Sequence, residues 1–288
     1  MKSVRINVIN AMKDINIVIV NYKMKDDIAK CLVSLYRDIE NSGLDVGIVV
    51  VDNKSEDNID KFLQEKYPEI KIIMQDTNPG FGKAQNAGIK AIEAKYYFAL
   101  NPDTEFPEGQ SVIKKMYDYM EDHPKIGMVG PKILYPDGSL QYSCWRFPKS
   151  LQPLYQRTKL GQTKRGQKKV DYHHMKDFTH DETRPVDAIM GSAMFARKEA
   201  LDEVGLFDER FWMYYEDIDW CLRMWEAGWP VYYLHDIVIM HAHGRGSAKV
   251  PGVVKALVKN KLARVHLSSW LKFMWKWRKK SKYYKINK

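Results

Sequence analysis

Three short β-branched apolar runs, Ile15–Val20, Val46–Val51 and Ile70–Met74, punctuate the first part of the chain, and between them apolar positions recur at helical period over 25–41 and 57–66. That alternation predicts βαβ units in a parallel sheet. A fourth strand follows at Tyr96–Leu100, preceded by an Ala- and Lys-rich helix over Gly82–Ala94 that opens from a turn at Gly80 and Gly82. From 149 to 185 the pattern fades into Lys, Gln, His and Thr between prolines, which predicts a mobile insertion or lid. Periodicity returns with a strand over Val186–Ala196, helices over Lys198–Val204 and Glu216–Ala227, and a last strand over Val231–Met240.

Composition limits what such a chain can be. With 288 residues, 45% of them apolar and 28% charged, it can bury a large core. No stretch approaches the roughly 18 to 20 apolar residues of a membrane span, and residues 1–14 lack the apolar centre of a signal peptide, so the cytosol is the expected compartment. Three widely spaced cysteines, Cys31, Cys144 and Cys221, read as buried free thiols. The net charge of +10 has a location: 14 of the 46 basic residues and none of the 36 acidic ones lie in 237–288, leaving the first 236 residues at −4. Within that tail Trp270, Phe273, Met274 and Trp277 recur at helical spacing, with Lys272, Lys276 and Lys279 on the other side. A basic amphipathic helix of this kind is expected to lie on anionic lipid at the inner face of the cell membrane. Nucleic acid is not expected as a partner, because the aromatics form a stripe and do not interleave with the basic residues.

The chemistry sits at strand ends. Open parallel sheets bind ligands at their carboxyl edge, and polar clusters follow the first, second and fourth strands: Asn21-Tyr22, Asp52-Asn53-Lys54-Ser55 and Asn101-Pro102-Asp103. Each is also a good turn sequence. Asp52 is either an Asx-turn acid or an acceptor for a nucleobase N–H or ribose hydroxyl. A carboxylate placed like Asp103 can hold a hard divalent cation against a diphosphate, with His241 at the end of the last strand as a further ligand. Glu216, Asp217 and Asp219 crowd a helix start, where acids are favoured by unpaired N–H groups. Beside Trp212, Tyr214 and Trp220 such an acid would have the raised pKa of a general base. His173, His174 and His180 read as solvated. Gly80-Phe-Gly82-Lys-Ala-Gln85 fails the dinucleotide pattern, and Gly161 to Gly166 lacks the lysine of a P-loop.

In order and content the segments VIVNYK, VVVDNKSED, NPGFGKAQNAGI, FALNPDTEF, MGSAMFARKEALDEVGLFDERFWMYYEDIDWCLR and IMHAHGRGS closely resemble family 2 glycosyltransferases of GT-A fold, especially bacterial rhamnosyltransferase-like members. The resemblance implies a Rossmann-like, mostly parallel α/β sheet flanked by helices over 1–247, with a nucleotide-binding half at 15–105, an acceptor-side half at 106–247 and the helical tail at 248–288. It implies that Tyr22 lies against the base beside Asn21, that Asp52 bonds it, and that Lys83 and Asn86 face the diphosphate or ribose. Asp103 matches the metal aspartate of the family's D-x-D motif, with Asn101 at the first position, so one acid holds Mg2+ or Mn2+ where two are usual. Asp217, after Glu216, matches the catalytic base of an inverting transfer, and Gly191-Ser192 would lie beside the acceptor. Trp145-Arg146-Phe147-Pro148 points to dTDP-rhamnose as donor. The acceptor would be a saccharide or a lipid-diphosphate-linked saccharide in cell-surface polysaccharide synthesis. Two rivals are a sugar-phosphate nucleotidyltransferase and a non-catalytic module that binds lipid or nucleic acid through its tail.

Overall fold

The computed structural model describes residues 12–149, 152, 155, 159–242, 260–278 and 281–284. The first part runs β1 (Lys13–Asn21), α1 (Lys25–Ile39), β2 (Val46–Asp52), α2 (Ile59–Lys66), β3 (Lys71–Met74), α3 (Phe81–Ile89) and β4 (Ala94–Leu100). β1 pairs in parallel with β2 and β4, and β2 with β3, as expected. Every residue from Ile15 to Asn21 is buried, because helices cover both faces of this strand. Ile15, Ile17 and Ile19 pack with Ile28, Leu32 and Leu35 of α1, whereas Val18 and Val20 join Ala84 and Ile89 of α3 on the opposite face. The strand's period of two thus sorts its side chains into two cores.

The second part contains β5 (Thr104–Glu105), α4 (Val112–Asp122), β6 (Met128–Leu134), β7 (Leu140–Gln141), β8 (Cys144–Trp145), a 3-10 turn at Lys159–Gln162 and α5 (Lys164–His173). It continues with β9 (Arg184–Pro185), β10 (Ala188–Ile189), β11 (Ala193–Arg197), α6 (Lys198–Val204), α7 (Glu216–Glu226), β12 (Val231–His241) and α8 (Lys261–Lys276). The main sheet has the order β3-β2-β1-β4-β11-β6-β12-β5, with β7 beside β6 and β9 beside β12, while β8 and β10 pair separately. β11 runs antiparallel to β4 and β6, which joins the parallel β1–β4 half of the sheet to the rest.

Several expectations are corrected. The strand expected over Val186–Ala196 is two strands broken by a turn at 190–192, and the helix expected to reach Ala94 stops at Ile89. β6 carries Gly130 and Pro131 inside it, residues that suppress a strand signal. The 149–185 segment is not merely a polar lid. Its α5 is capped by Thr163, whose hydroxyl accepts from Gly166 N at 3.1 Å. His173 and His180 are buried, not solvated. The His180 ring stacks on Phe178 at 3.9 Å and meets Met175 O at 3.1 Å, so its partners come from sequence neighbours that composition alone does not reveal. The apolar stripe of α8 turns inward: Phe273 and Trp277 are buried and Trp270 and Met274 pack against the body. His243, Gly244, the 248–259 part of the tail and Lys279 lie outside the described residues.

Candidate active site

The end of β4 and the end of β12 meet through the β5–β12 pairing, which sets His241 opposite Thr104. Asp103 Oδ1 and Asn101 Nδ2 lie 3.1 and 3.2 Å from His241 Nε2. On the ring's far side Nδ1 is 2.7 Å from Gln141 Oε1, and the orientation of that amide is fixed by its Nε2 donating to His241 O at 3.4 Å. An amide oxygen accepts, so Nδ1 carries a proton and in the neutral ring Nε2 presents a lone pair. Asn101 Nδ2 donating to Nε2, or a proton on Nε2 facing Asp103, satisfies this contact as it stands, and the same nitrogen and carboxylate oxygen can turn to a metal ion. Two adjacent oxygen or nitrogen ligands of an octahedral cation, each bonded at ~2.1 Å, are themselves about 3 Å apart. The donor set therefore fits a divalent cation, with Gln141 as the outer partner that fixes the histidine tautomer. Among the described residues no group of three His, Cys, Asp or Glu side chains gathers, so phosphate and water oxygens would complete the shell.

The Glu216–Asp217 pair is built differently. Tyr214 and Tyr215 both adopt left-handed backbone, with φ of 68° and 70°, a conformation that costs a bulky residue roughly 1–2 kcal/mol. Strain of this size needs support from tertiary packing. The turn delivers Glu216, Asp217 and Asp219 into the first turn of α7, and all three are buried. Asp219 is neutralised by Arg223 at 3.0 Å and Lys276 at 2.7 Å. Asp217, 9% exposed, accepts from Ile218 N at 2.8 Å and Gly191 N at 3.1 Å. Burial outweighs those bonds and pushes its carboxyl up to about 6. Burial, and then the neighbouring Asp217 charge, holds Glu216 well above the usual carboxylate range. Burial thus gives both carboxyls of the pair an enhanced proton affinity.

One short turn joins these two centres. Asn101 N donates to Ser192 O at 2.8 Å, and Gly191 N donates to the Asp217 carboxylate. A Cβ on Gly191 would approach Asp217 Cβ to 3.3 Å, so a small residue is needed there. The break between β10 and β11, which the sequence pattern hides, is what brings Asn101 at the end of β4 and Asp217 to one turn. Ser192 Oγ and Glu216 Oε2 are buried beside it without a hydrogen-bond partner among the described residues, as befits atoms awaiting a ligand.

Beyond the carboxyl ends of β1 and β2, a cleft of about 500 Å³ is lined by residues 23–27 and 55–57, and Tyr22 stands next to it, 48% exposed. Burial, and then the Asp103 charge, raise the carboxyl of Asp27 in the wall of this cleft. Asp52 is only 1% exposed, accepting from Asn21 Nδ2 at 2.8 Å and Ser55 N at 3.0 Å. The turn role of Asp52 is thus realised, and Asn21 serves the same turn. Asn86 is occupied elsewhere: its amide donates to Phe207 O and accepts from Phe207 N, both at 2.9 Å. Lys83 is exposed and 3.9 Å from Glu209. Arg146 grips Asp177 with two bonds of 2.6 and 2.7 Å, while Trp145 pairs with Ala188 in β10, next to the 190–192 turn. Gln141 and Asp27 escaped the sequence reading. Gln141 belongs to a two-residue strand with no pattern to mark it, and Asp27 passes as an ordinary first-turn acid.

Residues 16–183 match the model of the family described as glycosyl transferase family 2. The chain belongs to that family. Among curated relatives, the N-acetylglucosaminyl-diphospho-decaprenol L-rhamnosyltransferase of Mycobacterium tuberculosis is 27% identical over 200 residues, covering 62% of this chain and 61% of the relative. The dTDP-rhamnosyl transferase RfbF of Shigella flexneri is 29% identical over 187 residues, covering 64% and 56%. The chain spans about three-fifths of the length of these relatives. Two solved structures share the fold at a TM-score of 0.55. TarS residues 1–349 of S. aureus, 14% identical, covers 92% of this chain and 72% of its own. The mannosyltransferase PcManGT from Pyrobaculum calidifontis, crystallised with GDP-Man and Mn2+, is 15% identical and covers 90% and 69%. This family 2 glycosyltransferase has the GT-A type α/β fold.

Proposed function

We propose that the protein transfers a hexose with inversion from a nucleotide-sugar donor, rhamnose from dTDP-rhamnose, to a saccharide or lipid-diphosphate-linked saccharide in cell-surface polysaccharide synthesis. The observation that carries this reading is the 190–192 turn, which ties Asp217 and the Asn101–Asp103 segment to adjacent backbone groups. An acceptor hydroxyl is a weak nucleophile near neutrality, and Asp217 takes its proton as the new glycosidic bond forms and the bond from the anomeric carbon to the diphosphate breaks. The buried Glu216 and the hydroxyl of Ser192 are placed to orient the sugar beside it. A divalent cation, Mg2+ or Mn2+, held by Asp103 and His241 would neutralise the charge growing on the leaving diphosphate. Tyr22 offers an exposed ring for the base at the mouth of the 23–27 and 55–57 cleft. The names of the two relatives support rhamnose and, for one of them, a polyprenol-diphosphate acceptor.

The same reading places the protein on the cytoplasmic face of the membrane. No described helix is long and apolar enough to cross it. The outer face of α8 exposes Leu271 by 54% and Trp275 by 64% among Lys261, Arg264, Lys272 and Arg278, a composition suited to anionic lipid. Screening dTDP-rhamnose, UDP- and GDP-sugars for thermal stabilisation and hydrolysis with Mg2+ or Mn2+ tests the donor assignment. The expected result is preferential stabilisation and turnover of dTDP-rhamnose. Preference for a UDP- or GDP-sugar would reject rhamnose, and release of pyrophosphate from nucleoside triphosphate and sugar phosphate would reject glycosyl transfer.

A further inference from the structure

Two consecutive tyrosines in left-handed conformation cannot hold themselves in place, and what holds them is α8. Ser269 Oγ donates to Met213 O at 2.8 Å, directly before the strained pair. The His266 ring lies 5.1 Å from Tyr214 and 5.3 Å from Tyr215, and Phe273 lies 5.5 Å from Tyr215. One turn further on, Lys276 reaches both oxygens of the fully buried Asp219 at 2.7 and 2.8 Å, and Trp277 Nε1 donates to it at 2.9 Å. All these contacts arrive on the turn that precedes the acids and on the third acid of the cluster. Without Lys276, Asp219 would face Glu216 and Asp217 with Arg223 alone as its cation.

We propose that α8 is the positioning element of the Glu216–Asp217 pair, with Ser269, Phe273 and Lys276 as positioning residues. The inference rests on Asp217 being the base, and it gives the basic tail a second role: its inner face sets the base while its outer face meets lipid. The helix acts through two physical routes. Ring packing and the Ser269 bond offset the strain of the Tyr214–Tyr215 turn, and the Lys276 ammonium keeps a third buried negative charge from adding to the other two. The charged and titratable groups around the pair are Asp219, Cys221 and Arg223 on α7, Asp208 and Arg210 before it, and His266 and Lys276 on α8. Lys276 bridges two of them, since it also pairs with Asp208 at 2.7 Å.

The test needs no substrate, so its failure is separable from failure of the base assignment, which Asp217→Asn turnover decides. In the full chain, amide hydrogen exchange is followed at Gly191 and Ile218, whose N–H groups donate to Asp217, and the Asp217 carboxyl carbon is titrated by NMR, assigned with Asp217→Asn. Lys276→Met is expected to speed exchange at both amides at least tenfold while β1 amides keep their wild-type rates. It is also expected to raise the proton affinity of the pair roughly three- to tenfold, the Coulomb effect of one cation lost in a partly screened interior. Lys276→Arg should return both readouts to within about twofold of wild type. Should Lys276→Met fail to fold, Ser269→Ala decides, with a few-fold faster exchange confined to residues 213–218 as the supporting result. Wild-type exchange and titration in folded Lys276→Met, or acceleration spread evenly over β1 and α7, would overturn the proposal and leave α8 as packing alone.

Discussion

Two acidic loops of this protein use the same residue types to opposite ends. The 52–58 loop after β2 holds Asp52, Glu56 and Asp57 and has left-handed backbone at Lys54, Glu56 and Asn58. The 214–219 turn before α7 holds Glu216, Asp217 and Asp219 and has left-handed backbone at Tyr214 and Tyr215. In the first loop every acid is explained by its neighbours: Asp52 accepts from Asn21 and Ser55, Asp57 accepts from Asn21 at 3.1 Å, and Glu56 is exposed at the rim of the cleft. In the second the acids are driven together behind aromatic rings, and a separate helix holds them there. Strained backbone and clustered carboxylates therefore do not by themselves mark chemistry. What separates the two loops is whether the carboxylates find hydrogen-bond donors among their own neighbours or water, or are driven together in the interior.

Asp217→Asn breaks the comparison most sharply, because it should lower turnover and raise stability at once. A positioned general base contributes typically 10²- to 10⁴-fold, so a loss of about 10³ in kcat is expected with donor binding intact. The native carboxyl titrates near 6, above its value of 3.8 in the unfolded chain. Its folded form therefore binds a proton more tightly, and the ionised group costs stability at a pH above about 6, a cost that fades as pH falls through that value. Removing the charge should stabilise the protein by about 2–3 kcal/mol at pH 8, read as a higher Tm, and by much less at pH 4. The wild-type rate should fall on the acid side with a midpoint near 6. A wild-type-like rate in Asp217→Asn would remove the base role.

Asp103→Ala tests the cation end with a smaller expected effect, roughly 10²-fold in kcat/KM with loss of Mn2+ dependence. Gln141→Leu should act in the same direction but more weakly, about tenfold in cation affinity, because it only releases the His241 tautomer. Calorimetry with Mn2+ and the nucleoside diphosphate measures both. Equal Mn2+ affinity in wild type and Asp103→Ala would dismiss this site.

How far the sequence disclosed these loops follows from the range of the interactions that build them. β1 to β4 and the strand-end positions of Asp52 and Asp103 are legible because periodicity of two and of 3.6 is a local signal. His241 is legible as a strand-end residue beside Asp103 because the last strand is long and β-branched. The 190–192 turn is not legible, since Met190-Gly191-Ser192 interrupts an apolar run whose break is imposed by pairing with β4 on one side and β8 on the other. Nor are the occupied side chains. Asn86 reaches across 121 positions to Phe207, and Arg146 across 31 to Asp177, partners that no local pattern names. The period of the tail helix is legible and the surface its stripe covers is not, because an apolar stripe fits a lipid surface and a protein surface equally well. Asp219, buried and acidic, selects the protein.

Asp52→Ala carries the smallest effect, and its sign completes the contrast. The carboxylate is nearly inaccessible and closes the turn by accepting from a side-chain amide and from a backbone N–H. Alanine leaves the Ser55 N–H buried without that acceptor and leaves the Asn21 amide with Asp57 as its acceptor, a loss of about 1–2 kcal/mol, or a few degrees in Tm. The 23–27 and 55–57 cleft would widen with the loosened turn, so donor affinity should fall by a factor of about ten or less, with kcat little changed. Removing one acid would then destabilise the protein while removing the other stabilises it. Calorimetric unfolding of the two single variants at pH 8 tests that opposition directly. A stabilised Asp52→Ala would mean that its hydrogen bonds to Asn21 and Ser55 do not hold the turn, and the contrast between the two loops would fall.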